Sequence, residues 1–352
     1  MSGQLILVTG STGFIGCHIV EQLLESGYRV RAVARSAKVE QLKSTYADLG
    51  DRFDAIGITD IAEDALTGAF EGVDAVIHGA TAMPTRTSNA EDMITVATNG
   101  TLNVLRRAEA AGIHRFLVLS SITTMVTPAM TLSHKDWFQV PEGDNSKRPA
   151  LAVYANAKTL AELAMWKWAD EHPHVQISSI HPPYVYGPVS RYWQVPEAPD
   201  YWALTSVLAI ATMLKPDGMY PPYPAHVDVR DVAKACVRGL ELWKPAPAGE
   251  RNRAGFLSPQ YFDYPRAKAV ILERYPNLKS RIIAADPPPF YGPSALEYEW
   301  VDRLFGMKKE DFHTFDETIL DTVACVLELE EGWKAKGYNP QIPTPDVNDQ
   351  QQ

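Results

Sequence analysis

The chain has 352 residues, of which 45% are hydrophobic and 22% are charged, an ordinary composition for a globular protein with a large core. Its formal net charge of −10 argues against a nucleic-acid partner, because binding phosphates requires a basic face. No run of 18 apolar residues occurs, so we expect no membrane partner.

Strand and helix signals alternate along the first half of the chain. Apolar runs predict strands at 4–9, 29–34, 52–57, 74–78, 115–120 and 176–181. Helical periodicity predicts helices at 14–26, 37–47, 62–70, 89–111, 152–171 and about 229–242. This alternation is typical of α/β proteins, in which helices cover both faces of a parallel sheet. We therefore predict a doubly wound parallel sheet.

The first strand runs directly into a glycine-rich turn, Thr-Gly-Ser-Thr-Gly-Phe-Ile-Gly at 9–16, and then into a helix. Gly10 allows a tight turn, Gly13 leaves room for a ligand to approach the backbone, and Gly16 allows close packing of the helix. The N-terminus of such a helix presents backbone N–H groups to an anion. The turn therefore predicts a dinucleotide pyrophosphate site in a Rossmann-type domain.

The end of the second predicted strand carries cations instead of a carboxylate. Enzymes that prefer NAD usually place Asp or Glu there to bind the ribose 2′-hydroxyl. Arg35, with Ser36 and Lys38, would instead receive a 2′-phosphate, which suits guanidinium geometry. The alternative is that these are solvated surface charges; we favour the cofactor NADPH.

Two later segments carry groups suited to proton transfer. Tyr154 and Lys158 are four residues apart and share one face of the helix predicted at 152–171. A neighbouring ammonium should lower the pKa of a phenol toward the working range. Ser120 and Ser121 end a buried strand, where a hydroxyl could bind a carbonyl oxygen. Each feature alone has a structural explanation, but their combination with the glycine turn favours hydride transfer to a carbonyl, with the proton coming from Tyr154.

Composition changes after residue 181, because aromatic residues and prolines concentrate between 184 and 223. We interpret this as an irregular, aromatic-lined substrate lobe. The predicted division is a Rossmann domain over 1–183, rejoined by about 225–255, a smaller C-terminal substrate lobe over 184–224 and 256–340, and a flexible tail over 341–352.

The cysteines and histidines favour a cytoplasmic protein without a metal. Cys17, Cys236 and Cys325 are odd in number and far apart, which predicts reduced, packed thiols. No basic segment precedes the first strand, so we expect no secretory signal. The nine histidines show no HExxH motif or clustered spacing.

Four segments together resemble the extended short-chain dehydrogenase/reductases. They are TGSTGFIG at 9–16, the pair Ser120–Ser121, YANAK at 154–158 and HPPYVYGP at 181–188. The resemblance covers roughly residues 4–335. It is closest to the dihydroflavonol-reductase-like branch, which includes fungal and yeast NADPH-dependent carbonyl and aldehyde reductases.

The resemblance implies roles for individual residues. Ser121, Tyr154 and Lys158 would be catalytic, with Ser120 the less favoured serine. The implied cofactor contacts are Gly10, Thr12, Gly13, Phe14, Ile15, Gly16, Ala80, Thr81, Pro182 and Val185. Lys158 could also hold the ribose hydroxyls of the cofactor.

Two positions depart from that family. Relatives often carry an Asp after the third strand that contacts adenine; Gly57 stands there in our alignment, so we expect backbone contact or packing of Ile58 on the ring. His181 stands where epimerases and dehydratases of the family carry an Arg, which argues against a sugar-nucleotide substrate.

The expected substrate wall is apolar and bulky, which suits a hydrophobic or aromatic aldehyde or ketone. Its predicted members are Met83, Thr123, Met125, Tyr184, Trp193 and Trp202. The alternative is that several of these aromatics only pack the small lobe.

Three functions remain open at this point. The first is NADPH-dependent reduction of a small-molecule carbonyl by a monomer or homodimer. The second is an NAD(P)-dependent epimerase or hydroxysteroid-type dehydrogenase on the same scaffold. The third is a dinucleotide sensor, which would not need Ser121, Tyr154 and Lys158 together. We favour the first.

Overall fold

The computed structural model describes residues 3–81, 90–128, 132–204, 206–289 and 297–343. Its strands are β1 (Leu5–Thr9), β2 (Arg29–Arg35), β3 (Phe53–Ile58), β4 (Ala75–His78), β5 (Arg115–Leu119), β6 (Gln176–His181), β7 (Tyr184–Tyr186), β8 (His226–Asp228) and β9 (Arg253–Gly255). Its α-helices are α1 (Phe14–Glu25), α2 (Val39–Thr45), α3 (Ala90–Ala110), α4 (Ala150–Glu171), α5 (Val207–Ala211), α6 (Val229–Glu241), α7 (Tyr264–Arg274), α8 (Tyr298–Phe305) and α9 (Phe315–Ala335).

Seven strands form one parallel sheet in the order β3-β2-β1-β4-β5-β6-β9. This confirms the predicted doubly wound sheet of Rossmann type. The strand order reverses between β1 and β4, and ligands of such sheets bind beyond the carboxyl ends of the strands near this point. A separate two-stranded parallel sheet joins β7 and β8.

Both faces of the large sheet are buried, as the near-continuous apolar strands require. Ile6 and Val8 of β1 belong to the core that includes α1, α6 and the C-terminal helices. Leu5 and Leu7, on the opposite face, pack in the core that includes α3 and α4. The alternation of side chains along β1 thus places one helix layer on each side.

The helix predicted at 62–70 is wrong, because the segment consists of turns. The carboxylates of Asp60 and Asp64 each accept a hydrogen bond from the backbone N–H two residues further on, at 2.8 and 2.9 Å. Leu66 and Gly68 adopt positive φ values of 52° and 73°. Side-chain to backbone bonds of this kind compete with a helix, and the periodicity of the apolar residues does not reveal them.

The edge strand β9 comes from the segment predicted to rejoin the Rossmann domain, but the division into domains itself stays a prediction. Most of the predicted tail, residues 344–352, lies outside the described residues. The three cysteines are buried free thiols. Within the described ranges, no helix combines the length and apolar character needed to cross a membrane.

Candidate active site

The glycine turn is packed so tightly that two of its positions exclude a side chain. Gly10 has a φ of +72°, and a Cβ there would lie 2.7 Å from the carbonyl carbon of Gly79, beyond β4. A Cβ on Gly16 would lie 2.0 Å from the carbonyl oxygen of Gly10. Gly16 therefore allows α1 to pack against the backbone of the turn itself, whereas the sequence predicted packing against the sheet.

The N-terminus of α1 is left open for an anion. Gly13 is its N-cap residue, no side chain caps it, and its first turn contains no acidic residue. Among the described residues, the one atom that a Cβ on Gly13 would meet within 4 Å is the Gly10 carbonyl oxygen, at 3.3 Å. Thr12 and Ile15 are partly exposed beside it, whereas Phe14 is buried. Free N–H groups at the positive end of a helix fit a pyrophosphate.

The cations after β2 face solvent. Arg35 and Lys38 are both exposed, and neither has an ion-pair partner among the described residues. Ser36 donates a hydrogen bond to the Ile58 carbonyl at 3.1 Å, which joins the ends of β2 and β3. Both guanidinium and ammonium are thus available to a phosphate at this edge of the sheet.

The third strand extends one residue further than predicted, so Gly57 lies inside β3 and not after it. A Cβ on Gly57 would lie 3.0 Å from Ser36, which leaves no room for a ring. Ile58 is 7% exposed and packs in the core. Asp60, which the alignment did not single out, is the first carboxylate after the strand. Its side chain is exposed.

The segment after β4 lies along the turn. The Thr9 hydroxyl accepts hydrogen bonds from the N–H groups of Gly79 and Ala80, at 3.2 and 3.1 Å. Thr81 follows and is partly exposed. These bonds hold the segment beside the carboxyl end of β1, where the sequence predicts cofactor contacts.

Ser121 and Tyr154 are brought together although they are 33 positions apart in the sequence. Ser121 follows β5, and Tyr154 lies in the second turn of α4. The two hydroxyl groups form a hydrogen bond, which lowers the pKa of the phenol, although burial has the larger effect and raises that pKa overall. Thr123 donates a further bond from its hydroxyl to the Ser121 hydroxyl at 3.0 Å.

The structure distinguishes the two serines. The Ser120 hydroxyl donates a hydrogen bond at 3.0 Å to the buried Glu162 carboxylate and points into the interior. The Ser121 hydroxyl forms a hydrogen bond with the Tyr154 hydroxyl instead. This arrangement agrees with the preference for Ser121 over Ser120.

Lys158 does not act on the phenol in the expected way. Its ammonium donates a hydrogen bond to the Leu119 carbonyl at 2.8 Å, and it is absent from the groups that shift the Tyr154 pKa. Burial lowers the pKa of Lys158 to about 8, opposed by the negative charge of Glu162. The predicted acidification of Tyr154 by Lys158 is therefore not seen; burial keeps the phenol protonated instead.

A network of buried charged side chains lies behind these residues, and the sequence motifs alone do not predict it. Glu162 is 3% exposed and bonds the Arg253 guanidinium at 2.8 Å; Arg253, on the edge strand β9, is fully buried. The His181 imidazole lies 3.3 Å from the same carboxylate. One signal was present: Glu162 continues the helical face of Tyr154 and Lys158 at intervals of four residues.

The predicted substrate wall is only partly assembled. Tyr184 is partly buried and close enough to Tyr154 for the two phenols to influence each other electrostatically. Trp193 is 9% exposed in the main core, and Met125 is fully buried in a small core cluster, so both are packing residues here. Trp202 is 51% exposed at the surface.

Three other predicted site residues are less directly placed. Met83 lies outside the described residues. Pro182 is buried, and its carbonyl accepts the Ile122 N–H at 3.1 Å. The side chain of Val185 is buried in the main core, which leaves its backbone for a ligand.

Comparison with a protein-family model covers most of this arrangement. The model of the NAD dependent epimerase/dehydratase family matches residues 6–252. The matched range runs from β1 to the residue before β9 and includes the glycine turn, Ser121, Tyr154 and Lys158.

Individual relatives are reductases or oxidoreductases. An uncharacterized oxidoreductase of Schizosaccharomyces pombe is 31% identical over 95% of this chain and 100% of its own length. Aldehyde reductase 2 of Sporidiobolus salmonicolor is 37% identical over 53% of this chain and 59% of its own length. The crystal structure of yeast methylglyoxal/isovaleraldehyde reductase complexed with NADPH matches with a TM-score of 0.79 and 25% identity, covering 94% of this chain and 100% of that chain.

Proposed function

The chain belongs to the NAD dependent epimerase/dehydratase family, and on that basis we propose that it is an NADPH-dependent carbonyl reductase. Its substrate is a hydrophobic or aromatic aldehyde or ketone, which it reduces to the alcohol. The observation that carries the proposal is the meeting of Ser121 and Tyr154 beyond the carboxyl end of β5, with Lys158 one helical turn further along α4. The names of the relatives, aldehyde reductase and methylglyoxal/isovaleraldehyde reductase, support the same reaction.

The residues present fit a dinucleotide with a 2′-phosphate. The uncapped N-terminus of α1 and the open space at Gly13 suit the pyrophosphate. Arg35 and Lys38 would hold the 2′-phosphate, and Lys158 would hold the ribose next to the nicotinamide. We assign the adenine contact to Asp60 or the neighbouring backbone, since Gly57 is enclosed in β3.

When bound, NADPH supplies the hydride for the carbonyl carbon. Tyr154 donates a proton to the carbonyl oxygen, and Ser121 donates a hydrogen bond that orients that oxygen. Because burial raises the pKa of Tyr154, its hydroxyl carries a proton at neutral pH, which is the form needed for reduction. Proton donation leaves a phenolate, which the hydrogen bond from the Ser121 hydroxyl stabilises.

The surroundings of Tyr154 favour an apolar substrate over a sugar nucleotide. Tyr184 lies beside it, and the exposed ring of Tyr223 stacks on Tyr184 with 6.2 Å between centroids. His181 is fully buried, and burial lowers its pKa to about 4, so it offers no cation to a diphosphate. We therefore place aromatic and branched carbonyls ahead of nucleotide sugars.

The test is NADPH oxidation, followed by absorbance, against aldehydes and ketones graded by size. Tyr154→Phe should lower kcat/KM by about 10²- to 10⁴-fold, because it removes the proton donor. Tyr28→Phe is the matched control, since it removes the hydroxyl of another buried tyrosine, bonded to Glu241 at 2.7 Å at the far end of α1. If Tyr154→Phe keeps the wild-type rate on every accepted substrate, the mechanism is wrong. Isomerisation of a nucleotide sugar without net NADPH oxidation would favour the epimerase alternative.

A further inference from the structure

We propose that Glu162 is a positioning residue of the candidate active site, which acts on the reaction through Lys158 by keeping that ammonium charged. This inference rests on the proposed function for its catalytic consequence, but its physical basis lies in the fold alone. Glu162 does not face the substrate position; it lies one helical turn beyond Lys158, in the interior.

Glu162 is held in place by bonds from several elements. Its carboxylate accepts hydrogen bonds from Ser120 at 3.0 Å, from the Trp166 indole at 3.2 Å and from the Arg253 guanidinium at 2.8 Å. Burial alone would raise the pKa of Glu162, but His181 and Arg253 lower it to about 2. The carboxylate is therefore ionised near neutral pH.

The same network reaches the backbone of the catalytic serine. Arg253 also donates to the Thr124 hydroxyl at 3.3 Å, and that hydroxyl donates to the Ser121 carbonyl at 3.0 Å. Arg253 stacks over the Trp137 ring at 3.8 Å from its centroid, so the guanidinium has little freedom. Glu162 thus sits in a rigid frame that joins α4, β5 and β9.

Within the described part of the chain, Glu162 is the charged group that raises the pKa of Lys158. A cavity of about 10 Å³ is lined by Lys158, Glu162, Ser120, Thr101 and His78, among others. The titratable groups that interact with Lys158 are Glu162 on α4, His78 on β4 and His181 on β6, while Arg253 on β9 is paired with Glu162. Burial lowers the pKa values of His78 and His181 to about 3 and 4, so both are neutral near pH 7.

Burial therefore destabilises the charged form of Lys158, and the negative charge of Glu162 stabilises it. Burial lowers the pKa of Lys158 to about 8, and the Glu162 charge limits this decrease. Removing the carboxylate charge should lower the pKa of Lys158 further, so that the ammonium loses its proton at a lower pH. A residue with only a structural role would change stability without moving this titration.

The decisive experiment is Glu162→Gln, studied first without cofactor. The titration of Lys158 is followed by NMR of ¹³Cε-labelled lysine, with its signal assigned by its loss in Lys158→Met. We expect the midpoint to fall by about one pH unit, the size of a typical charge effect at a partly shielded site. The basic limb of the pH profile of kcat/KM should move to lower pH by the same amount. A midpoint that stays within about 0.2 units of the wild type overturns the proposal.

Two further variants separate electrostatics from folding. Glu162→Gln leaves Arg253 buried without its partner, which could prevent folding. The double variant with Arg253→Met removes both charges, and it should show the same shift of Lys158. Glu162→Asp, which keeps the charge, should restore the midpoint toward the wild-type value.

The matched control is Glu330→Gln. Glu330 is also 3% exposed and is paired with Arg281 at 2.8 Å, but it lies on α9 and bonds Tyr201 instead of a catalytic residue. Its loss should reduce stability and leave the Lys158 titration unchanged. If the wild type oxidises no NADPH with any carbonyl, the proposed function fails, while the NMR titration still decides the role of Glu162.

Discussion

At the scale of single residues, two arginines of β2 show how partners decide what a charge can do. Arg31 is bound to Asp54 at 3.2 Å and to the Ala69 carbonyl at 3.1 Å, so its guanidinium is fully engaged in structure. Arg35, at the carboxyl end of the same strand, is exposed and has no ion pair among the described residues. Only the second arginine is available to a cofactor phosphate.

We therefore expect Arg35→Asp to reverse the preference between cofactors. Loss of a charge-assisted bond to phosphate costs about 1.5–3 kcal/mol, which raises the KM for NADPH by roughly 10- to 100-fold. The KM for NADH should change much less, because NADH lacks the 2′-phosphate. Arg29→Asp, at the opposite and equally exposed end of β2, is the control and should leave the ratio unchanged. An unaltered ratio of the two KM values in Arg35→Asp would remove Arg35 from the site.

At the scale of elements, the approach of α1 to the end of β1 creates the phosphate site. The helix can start where it does because Gly16 offers no Cβ to the Gly10 carbonyl, which would lie 2.0 Å away. The backbone of Gly79 and Ala80 covers the other side of the turn. A Cβ on Gly10 would lie 2.7 Å from the first and 2.8 Å from the second. The open helix end is therefore a product of close backbone packing, not of any charged side chain.

Gly16→Ala should consequently damage both folding and cofactor binding. The added methyl group would clash with backbone atoms of Gly10 and Ser11, which cannot rotate away as a side chain can. We therefore expect the free energy of unfolding to fall by about 1–3 kcal/mol or more. Urea unfolding measures the loss, and quenching of protein fluorescence by NADPH measures binding. Gly332→Ala in α9 should instead be neutral or stabilise by up to about 1 kcal/mol, since no atom of the described residues lies within 4 Å of its added Cβ. Wild-type stability in Gly16→Ala would show that α1 can shift away from the turn.

At the scale of the whole molecule, buried histidines make the fold sensitive to acid. Burial lowers the pKa of His78 to about 3 and those of His181 and His226 to about 4. All three are almost completely buried. Because the unfolded chain binds protons on these groups from about pH 6.5, it is favoured over the folded chain as the pH falls from there toward 4.

Urea unfolding at pH 7.5, 6 and 5 should therefore show a steady loss of stability. Each group contributes up to about 1.4 kcal/mol per pH unit in this window. His226→Phe should reduce the slope, since it removes a buried group whose pKa is lowered by burial and puts an aromatic ring among aromatic neighbours. His114→Phe, at an exposed position, is the control. Equal slopes for wild type and His226→Phe would contradict this account.

The sequence by itself determined the features that depend on residues close together in the chain. Apolar periodicity predicts the six strands of the large sheet and the helix after the glycine turn. The geometry of a single helix places Tyr154 and Lys158 on a shared face. Membership of the family is confirmed for the same reason, since its motifs are local. The one helix wrongly predicted, at 62–70, failed because Asp60 and Asp64 bond the backbone in ways that periodicity does not encode.

Only the tertiary structure decided which groups share an environment. It distinguished the two serines, because Ser120 bonds the Glu162 carboxylate and Ser121 bonds Tyr154. It also showed that burial raises the pKa of Tyr154, opposite to the expected direction. It joined Glu162 to Arg253, 91 residues further along the chain. Desolvation and long-range ion pairs depend on what surrounds a side chain in three dimensions, and no local spacing of residues carries that information.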